Sequence, residues 1–238
     1  MINKAHYLTQ LNYKILKYTK YLYLYPPRPT QTTHFSTLNR YDDGTYICQP
    51  KYNGSCCMVF MSETELIVMN RHNSPITSNY TNIDFRGMYN GIGAKGWIVL
   101  CGEMLNKNKL GEDGKPFNLK FVIWDILVWD SEYLLRSTFA SRMKMLEKIF
   151  PCSKMRIGDT PDAIQVLNYV CFTKYKNIYK APCYDRNFMR LYDNIVGTDL
   201  YEGLVLKRAD AKLSYGLTEK NNSDWQIKCR KPTKLYQF

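Results

Sequence analysis

Short apolar runs separated by turn residues dominate the sequence and predict β-strands more often than helices. In chain order these runs are 45–49, 55–61, 66–70, 97–105, 120–129, 201–207 and 225–230. We expect the first three runs to form an antiparallel meander, whose first tight turn is the sequence KYNG at residues 51–54. The runs at 97–105 and 120–129 are the most apolar and predict buried strands.

Helical spacing of apolar residues occurs between residues 139 and 150, where Ser137 or Thr138 can cap a helix and Pro151 ends it. Residues 11–30 mix basic and aromatic side chains before and around Pro26-Pro27. This segment is either an arm that touches nucleic acid or, as we favour, an amphipathic helix packed on its own domain. The pattern predicts an α+β protein with a basic, aromatic N-terminal segment at 1–35 and one domain at 36–238.

The composition favours an anionic partner. Lys and Arg total 33 against 21 acidic residues, a net charge of +12, and 20 tyrosines are available to stack on bases. Eight cysteines without a Cys-x-x-Cys pair, and three scattered histidines, give little support to a zinc site and fit a reducing, cytoplasmic compartment. No apolar run approaches the ~20 residues of a membrane span.

The sequence GIGAKG supplies Gly91, Gly93 and Gly96 in the spacing of a dinucleotide-binding fingerprint. That fingerprint requires a preceding strand and a following helix, whereas here a polar loop precedes and an apolar run follows. We therefore expect a hairpin loop at this position and no dinucleotide site.

Charged residues interrupt or border most of the apolar runs. They are Lys51, Arg71, Glu103, Asp125, Glu202, Lys207, Lys228 and Arg230. Because charges beside buried strands are seldom left unpaired, we expect them to line one cleft that binds an anionic nucleotide. Lys51 alone fits either an exposed hairpin turn or a nucleophile, since a partly desolvated amine near other cations is more easily deprotonated.

Six segments in this order resemble the motifs of the covalent nucleotidyltransferases, which include ATP-dependent polynucleotide ligases and mRNA capping guanylyltransferases. They are KYNG, MNR, CGE, FVIWDIL, YEGLVLK and IKCRK, and they span residues 49–231. The resemblance implies an ATP-grasp-like ligase domain whose antiparallel sheets flank a nucleotide cleft. Because the chain ends eight residues after Arg230, we expect no OB-fold.

The resemblance also implies roles for individual residues. Lys51 would attack the α-phosphate of ATP and form a lysyl-AMP, Lys228 and Arg230 would neutralise phosphate charge, and Glu202 would hold Mg²⁺ or Mn²⁺ through water. The implied nucleotide contacts are Gln49 to the base edge, Trp124 (or else Phe121) to the base face, Glu103 to a ribose hydroxyl and Arg71 to ribose or phosphate. For Lys207 two interpretations stay open, a triphosphate contact and a solvated strand end. We expect Asp125 and Tyr52 to have structural roles.

Details of the motifs favour an RNA ligase that joins 5′-phosphate and 3′-hydroxyl ends. Glu202-Gly203 resembles the corresponding motif of ligases, and the Lys228-Cys229-Arg230 segment and Asn53 resemble the motifs of RNA ligases. At position 56 a cysteine replaces the usual Arg or Asn. Residues 124–146 resemble DNA ligases, so a DNA ligase is the alternative, followed by a capping-type guanylyltransferase and a non-catalytic nucleic-acid-binding module. We expect a cytoplasmic monomer, of viral or phage origin as one option, with ATP and 5′-phosphate ends as partners and no membrane contact.

Overall fold

Two β-sheets with short helices make up the computed structural model, which describes residues 17–76, 80–106, 108–111, 113–152 and 169–232. The strands are β1 (Arg28–Thr32), β2 (Tyr46–Tyr52), β3 (Ser55–Met61), β4 (Leu66–Asn70), β5 (Ile98–Leu105), β6 (Lys120–Trp129), β7 (Glu132–Tyr133), β8 (Cys171–Phe172), β9 (Ile178–Lys180), β10 (Tyr201–Arg208) and β11 (Asn222–Arg230). The helices are a 3-10 helix (Phe35–Tyr41), α1 (Phe85–Gly91), α2 (Phe139–Ile149) and α3 (Phe188–Ile195). None of these helices is long and apolar enough to cross a membrane.

Both sheets are mainly antiparallel. In the described residues the small sheet has the strand order β1-β11-β10-β2, and only the β1–β11 pair is parallel. The large sheet has the order β4-β3-β5-β6-β9-β8, with β7 paired to β6, and its β6–β9 pair is parallel. The predicted α+β class with a large antiparallel component is confirmed.

Three apolar clusters hold these layers together. One joins the two sheets, because it contains Phe60 of β3 and Trp225 of β11. A second packs α3 against the small sheet through residues such as Leu191 and Leu204. The third, which includes Met88 of α1 and Leu146 of α2, covers the large sheet. The second cluster also contains Leu105 of β5 and Val122 of β6, so it too joins the small sheet to the large one.

The predicted meander at residues 45–70 is only partly correct. β3 and β4 do form an antiparallel hairpin, but β2 pairs with β10 in the small sheet while β3 pairs with β5 in the large sheet. The KYNG segment is therefore a crossing between sheets and not a hairpin turn. A Cβ atom on Gly54 would lie 2.6 Å from the carbonyl oxygen of Met104, so the crossing requires a residue without a side chain.

The predicted cap and end of α2 are confirmed, whereas the hairpin loop predicted for GIGAKG, next to α1, is not. Thr138 caps α2 by accepting a hydrogen bond from the Ser141 backbone at 3.2 Å, and the helix ends two residues before Pro151. The GIGAKG segment, in contrast, starts at the last residue of α1 and leads into β5. The prediction of a hairpin loop there is wrong, because the loop connects a helix to a strand.

The described part of the N-terminal segment, from residue 17 onwards, packs on the domain and contains no helix before Pro26. Residues 1–16 lie outside the described residues, and residues 18–27 run in an irregular conformation. Tyr18, Tyr23 and Leu24 are buried, and the Tyr23 hydroxyl donates to the Asn70 carbonyl at 2.6 Å. The boundary at residue 35 stays a prediction.

A buried ion pair ties α2 to β6. Both Asp125 and Arg142 are fully buried, and the guanidinium donates to the two carboxylate oxygens at 2.8 and 2.9 Å and to the Ser137 carbonyl at 2.9 Å. The expectation that Asp125 is structural agrees with this bidentate geometry.

We predict that Arg142→Leu lowers the free energy of unfolding by about 3–5 kcal/mol, because it leaves the Asp125 carboxylate buried and unpaired. The double variant Asp125→Leu/Arg142→Leu should lose much less. Chemical denaturation measures both, and Arg208→Ala, which breaks the exposed pair with Asp210, serves as the control with a much smaller expected loss. Equal losses in the single and double variants would contradict the prediction.

Candidate active site

The predicted nucleophile lies where three strands of the small sheet meet. Gly203 of β10 is paired on one side with Lys51 of β2 and on the other with Arg230 of β11. Its φ is +131°, and a Cβ atom there would lie 2.0 Å from the Cys229 carbonyl oxygen, so only glycine fits. The strand register is irregular next to this glycine, and the side chain of Glu202 points towards its two cationic neighbours.

Glu202 links the cations of this cluster. The Lys51 ammonium forms an ion pair with its carboxylate, and Arg230 Nε lies 3.9 Å from the same oxygen. Lys228 is two residues from Arg230 on β11, so both side chains point to one face of the sheet, as predicted. The structure thus brings Lys51, Glu202, Lys228 and Arg230 together.

Positive charge is concentrated around Lys228. Burial lowers the pKa of this lysine, and the nearby cations Arg230, Lys51, Arg28 and Arg71 lower it further. Mutual repulsion of this kind is relieved when an anion binds among the cations. The cluster is therefore suited to bind a phosphate group.

Glu103 faces this cluster from the large sheet, where it pairs with Cys56 of β3. Burial raises the pKa of Glu103 to about 8, the Glu202 carboxylate adds to the rise, and Lys51 opposes it. At neutral pH the carboxyl therefore holds its proton, and a cation bound near both carboxylates would favour its ionisation. Burial and the neighbouring Glu103 raise the pKa of the Cys56 thiol to about 12, so this residue adds no charge.

A second group of contacts among the candidate residues is built around Gln49, which is buried on β2. Its Oε1 accepts a hydrogen bond from the Lys207 ammonium at 2.7 Å, while its Nε2 lies 3.3 Å from the Trp124 carbonyl oxygen and 3.4 Å from Cys183 Sγ. Because an ammonium only donates, Lys207 fixes the orientation of the amide. The sequence could not supply this orientation.

Lys207 is 3% exposed, so its interpretation as a solvated strand end is wrong. Its ammonium lies 4.5 Å from the ring centroid of Trp124 and 4.8 Å from that of Phe139. Burial lowers the pKa of Lys207 to about 8, and the Asp125 carboxylate opposes this change. Sequence reasoning missed the pairing of Lys207 with Gln49, which comes from a strand 158 residues away.

The two aromatic candidates lie in different environments. Trp124 is partly buried and packs against the cluster between the sheets and the cluster under α3. Phe121 is fully buried in the third cluster, with its ring 5.3 Å from that of Phe85. Trp124 therefore stays the candidate base-stacking residue, and Phe121 belongs to the core. Tyr52 is also buried, and its hydroxyl donates to the Tyr169 carbonyl at 2.7 Å, which agrees with a structural role.

Arg71 directly follows β4 and is held by residues that the sequence did not single out. Its Nε donates to His72 Nε2 at 3.0 Å, and His72 Nδ1 lies 2.9 Å from the Glu219 carboxylate. Because Nε2 accepts, the ring proton is on Nδ1 and donates to Glu219. Glu219 comes from the loop between β10 and β11, so this chain of contacts joins the two sheets. His72 is adjacent to a predicted residue, whereas nothing local marks Glu219.

Comparison with known proteins shows the fold. No family model and no curated protein matches the chain. Among solved structures, mycobacterial DNA ligase D complexed with ATP and MES has a TM-score of 0.56 at 16% identity, over 86% of this chain and 60% of that one. The ligase domain from M. tuberculosis LigD has a TM-score of 0.55 at 16% identity, over 87% and 59%. The structure named Pmar-Lig_PreS3 has a TM-score of 0.54 at 14% identity, over 88% and 47%.

The chain thus has the fold of the nucleotidyltransferase domain of these ligases, and the resemblance inferred from the motifs is confirmed at the level of the fold. It spans about 60% or less of the length of these three structures.

We predict that Glu103→Gln becomes more stable relative to the wild type as the pH rises. Between the ordinary value of 4.5 and the raised pKa of about 8, the unfolded chain releases the carboxyl proton and the folded chain keeps it, so the wild type loses stability over this window. The Tm difference measured by thermal unfolding should grow from about pH 5 to about pH 8 and then level off. Glu63→Gln controls for the lost charge, and a pH-independent difference would show that the carboxyl is ionised throughout.

Proposed function

We propose that this chain is the nucleotidyltransferase core of an ATP-dependent polynucleotide ligase that works through a covalent Lys51–AMP intermediate. The observation that carries the proposal is the Lys51 ammonium held against Glu202, with Lys228 and Arg230 beside it. The shared fold with mycobacterial DNA ligase D complexed with ATP supports the same conclusion.

ATP would lie in the cleft between the two sheets, with its base towards Trp124 and its phosphates towards Lys51. At the base end, Gln49 Oε1 and the Lys207 ammonium are 2.7 Å apart and offer an acceptor beside a donor. This pair complements the 6-amino group and N1 of adenine, which are a donor and an acceptor. Guanine presents an acceptor at O6 and a donor at N1, which is the reverse order. The base that binds therefore depends on whether Gln49 Oε1 or the Lys207 ammonium faces position 6 of the purine.

The first chemical step follows from the cationic end of the cleft. The Lys51 amine attacks the α-phosphorus, a P–N bond forms, and the bond to the departing pyrophosphate breaks. The ammonium proton must leave before or during the attack, and the carboxylate in contact with it is that of Glu202. Lys228 and Arg230 would stabilise the charge that develops on the α-phosphate oxygens, and Glu103 would hold a ribose hydroxyl.

The carboxyl groups of Glu202 and Glu103 are the candidate ligands for a divalent cation, and Glu202 raises the pKa of Glu103. Among the described residues no group of three or more His, Cys, Asp and Glu side chains is placed to hold a metal ion, so water and substrate phosphates would complete the ligand set. Mg²⁺ prefers oxygen ligands and commonly uses one or two carboxylates together with water and substrate phosphates, and Mn²⁺ accepts similar ligands. Glu202 would hold the cation through water, and the cation would neutralise phosphate charge.

RNA ends are the substrate that the motifs favour. Asn53 and the Lys228-Cys229-Arg230 segment resemble RNA ligases, whereas Cys56 replaces both the Arg of DNA ligases and the Asn of one class of RNA ligases and so favours neither. Asn53 donates to the Asp199 carbonyl at 3.1 Å, so its side chain supports the crossing between the sheets. DNA ends are the second candidate, favoured by the fold shared with a DNA ligase.

We predict that the wild type becomes covalently labelled by α-labelled ATP with Mg²⁺ and that Lys51→Ala does not, since the variant lacks the attacking amine. Denaturing gel electrophoresis detects the labelled band, and labelling by GTP should be much weaker. Lys95→Ala, which removes an exposed lysine elsewhere, should label as the wild type does. An unlabelled wild type, or equal labelling of Lys51→Ala, would refute the mechanism, and stronger labelling by GTP would favour a capping-type enzyme.

We further predict that the protein seals a 5′-phosphate nick in RNA, or joins single-stranded RNA ends, faster than it seals the same nick in DNA. Matched all-RNA, all-DNA and single-stranded RNA substrates, resolved on a sequencing gel, measure the three rates. Sealing of the DNA nick alone would replace the RNA proposal by the DNA one. Retention of RNA without any labelled protein would indicate a binding module.

A further inference from the structure

A basic groove of about 660 Å³ opens beside the candidate active site along the β1 edge of the small sheet. Its walls include Arg28, Thr30, Glu219, Lys220, Asn222 and Lys228. Lys228 belongs both to the groove and to the cationic cluster around Lys51, so the groove continues the cleft towards the edge of the sheet.

The parallel pairing of β1 with β11 sets the length of the groove. Arg28 is in register with Asn222, and Thr32 is in register with Lys228. Four residue steps separate Arg28 from Thr32, so at ~3.3 Å per residue this edge is roughly 13 Å long, and β11 covers the same length with extra residues at a register shift. The groove therefore has cations at both ends, with Arg28 and Lys220 at the outer end and Lys228 at the inner end.

The charge of the groove is positive along this length. Arg28 and Lys220 are exposed, and Arg28 is close enough to lower the pKa of Lys228. Glu219 is the acidic residue among the wall residues, and its carboxylate lies 2.9 Å from His72 Nδ1. Thr30 and Asn222 add polar side chains of the kind that contact phosphate and sugar oxygens.

We propose that this groove binds the phosphate backbone of the polynucleotide strand whose end is brought to Lys51. A strand with a rise of about 3.4 Å per nucleotide places several phosphates along this edge, within reach of the cations spread from Arg28 and Lys220 to Lys228. The identity of the partner rests on the proposed function, but the binding of a polyanion to the groove can be tested independently of catalysis.

The test compares the wild type with the double variant Arg28→Ala/Lys220→Ala in binding a fluorescent, 5′-phosphorylated single-stranded RNA. Fluorescence anisotropy from about 50 to about 200 mM salt gives the slope of log K against log salt, which should decrease in magnitude by about 1.4 when two phosphate contacts are lost. Lys95→Ala/Lys144→Ala removes two exposed lysines outside the groove and should keep the wild-type slope. Lys220→Arg should also keep it, because the charge is retained.

The outcomes distinguish a failure of the groove proposal from a failure of the proposed function. An unchanged slope and affinity in Arg28→Ala/Lys220→Ala, with unchanged thermal stability, would overturn the groove proposal. An increased KM for ATP in self-labelling, without a change in RNA binding, would assign the groove to the triphosphate tail and also overturn it. Failure of the wild type to label itself would refute the ligase mechanism, while the salt slopes would still report on the groove.

Discussion

The close backbone contact at Gly203 is the constraint on which the candidate site depends. The absence of a Cβ atom lets β11 approach β10 so closely that the Cys229 carbonyl occupies the space of a side chain. This contact places Glu202 between Lys51 of one neighbouring strand and Arg230 of the other. A larger residue would push β11 away and separate the carboxylate from its cations. The chemistry of the cleft thus rests on backbone packing.

The two groups of cations in the candidate site are treated in opposite ways. Near Trp124, the Lys207 ammonium donates to the Gln49 amide, and the Asp125 carboxylate favours its charged form. Around Lys228 the neighbouring groups are cations, which lower the pKa of this lysine. Mutual repulsion of this kind would be relieved by an anion bound among the cations. The proposed base end therefore holds its charge by internal contacts, whereas the proposed phosphate end leaves positive charge available for a ligand.

Local sequence signals predicted local structure, whereas contacts between residues far apart in the chain could be identified only in the structure. The strands β5 and β6 and the Thr138 cap follow from periodicity and capping chemistry, which act over a few residues. The KYNG turn was misread because β2 finds its partner in β10, so Lys51 meets a carboxylate 151 residues away. The same holds for His72 and Glu219, which are 147 residues apart. Motif order pointed to Lys51, Glu202, Lys228 and Arg230 without showing their contacts, whereas the orientation of Gln49 and the burial of Lys207 have no local signature.

The crossing of the chain at Asn53-Gly54 divides the candidate site between the two sheets. Lys51, Glu202, Lys228 and Arg230 belong to the small sheet, whereas Glu103 and Trp124 belong to the large one. Lys51 stands two residues before the crossing, so the segment that carries it also joins the two sheets. The relative position of the two halves of the site therefore depends on this crossing and on the cluster of Phe60 and Trp225 that packs the sheets together.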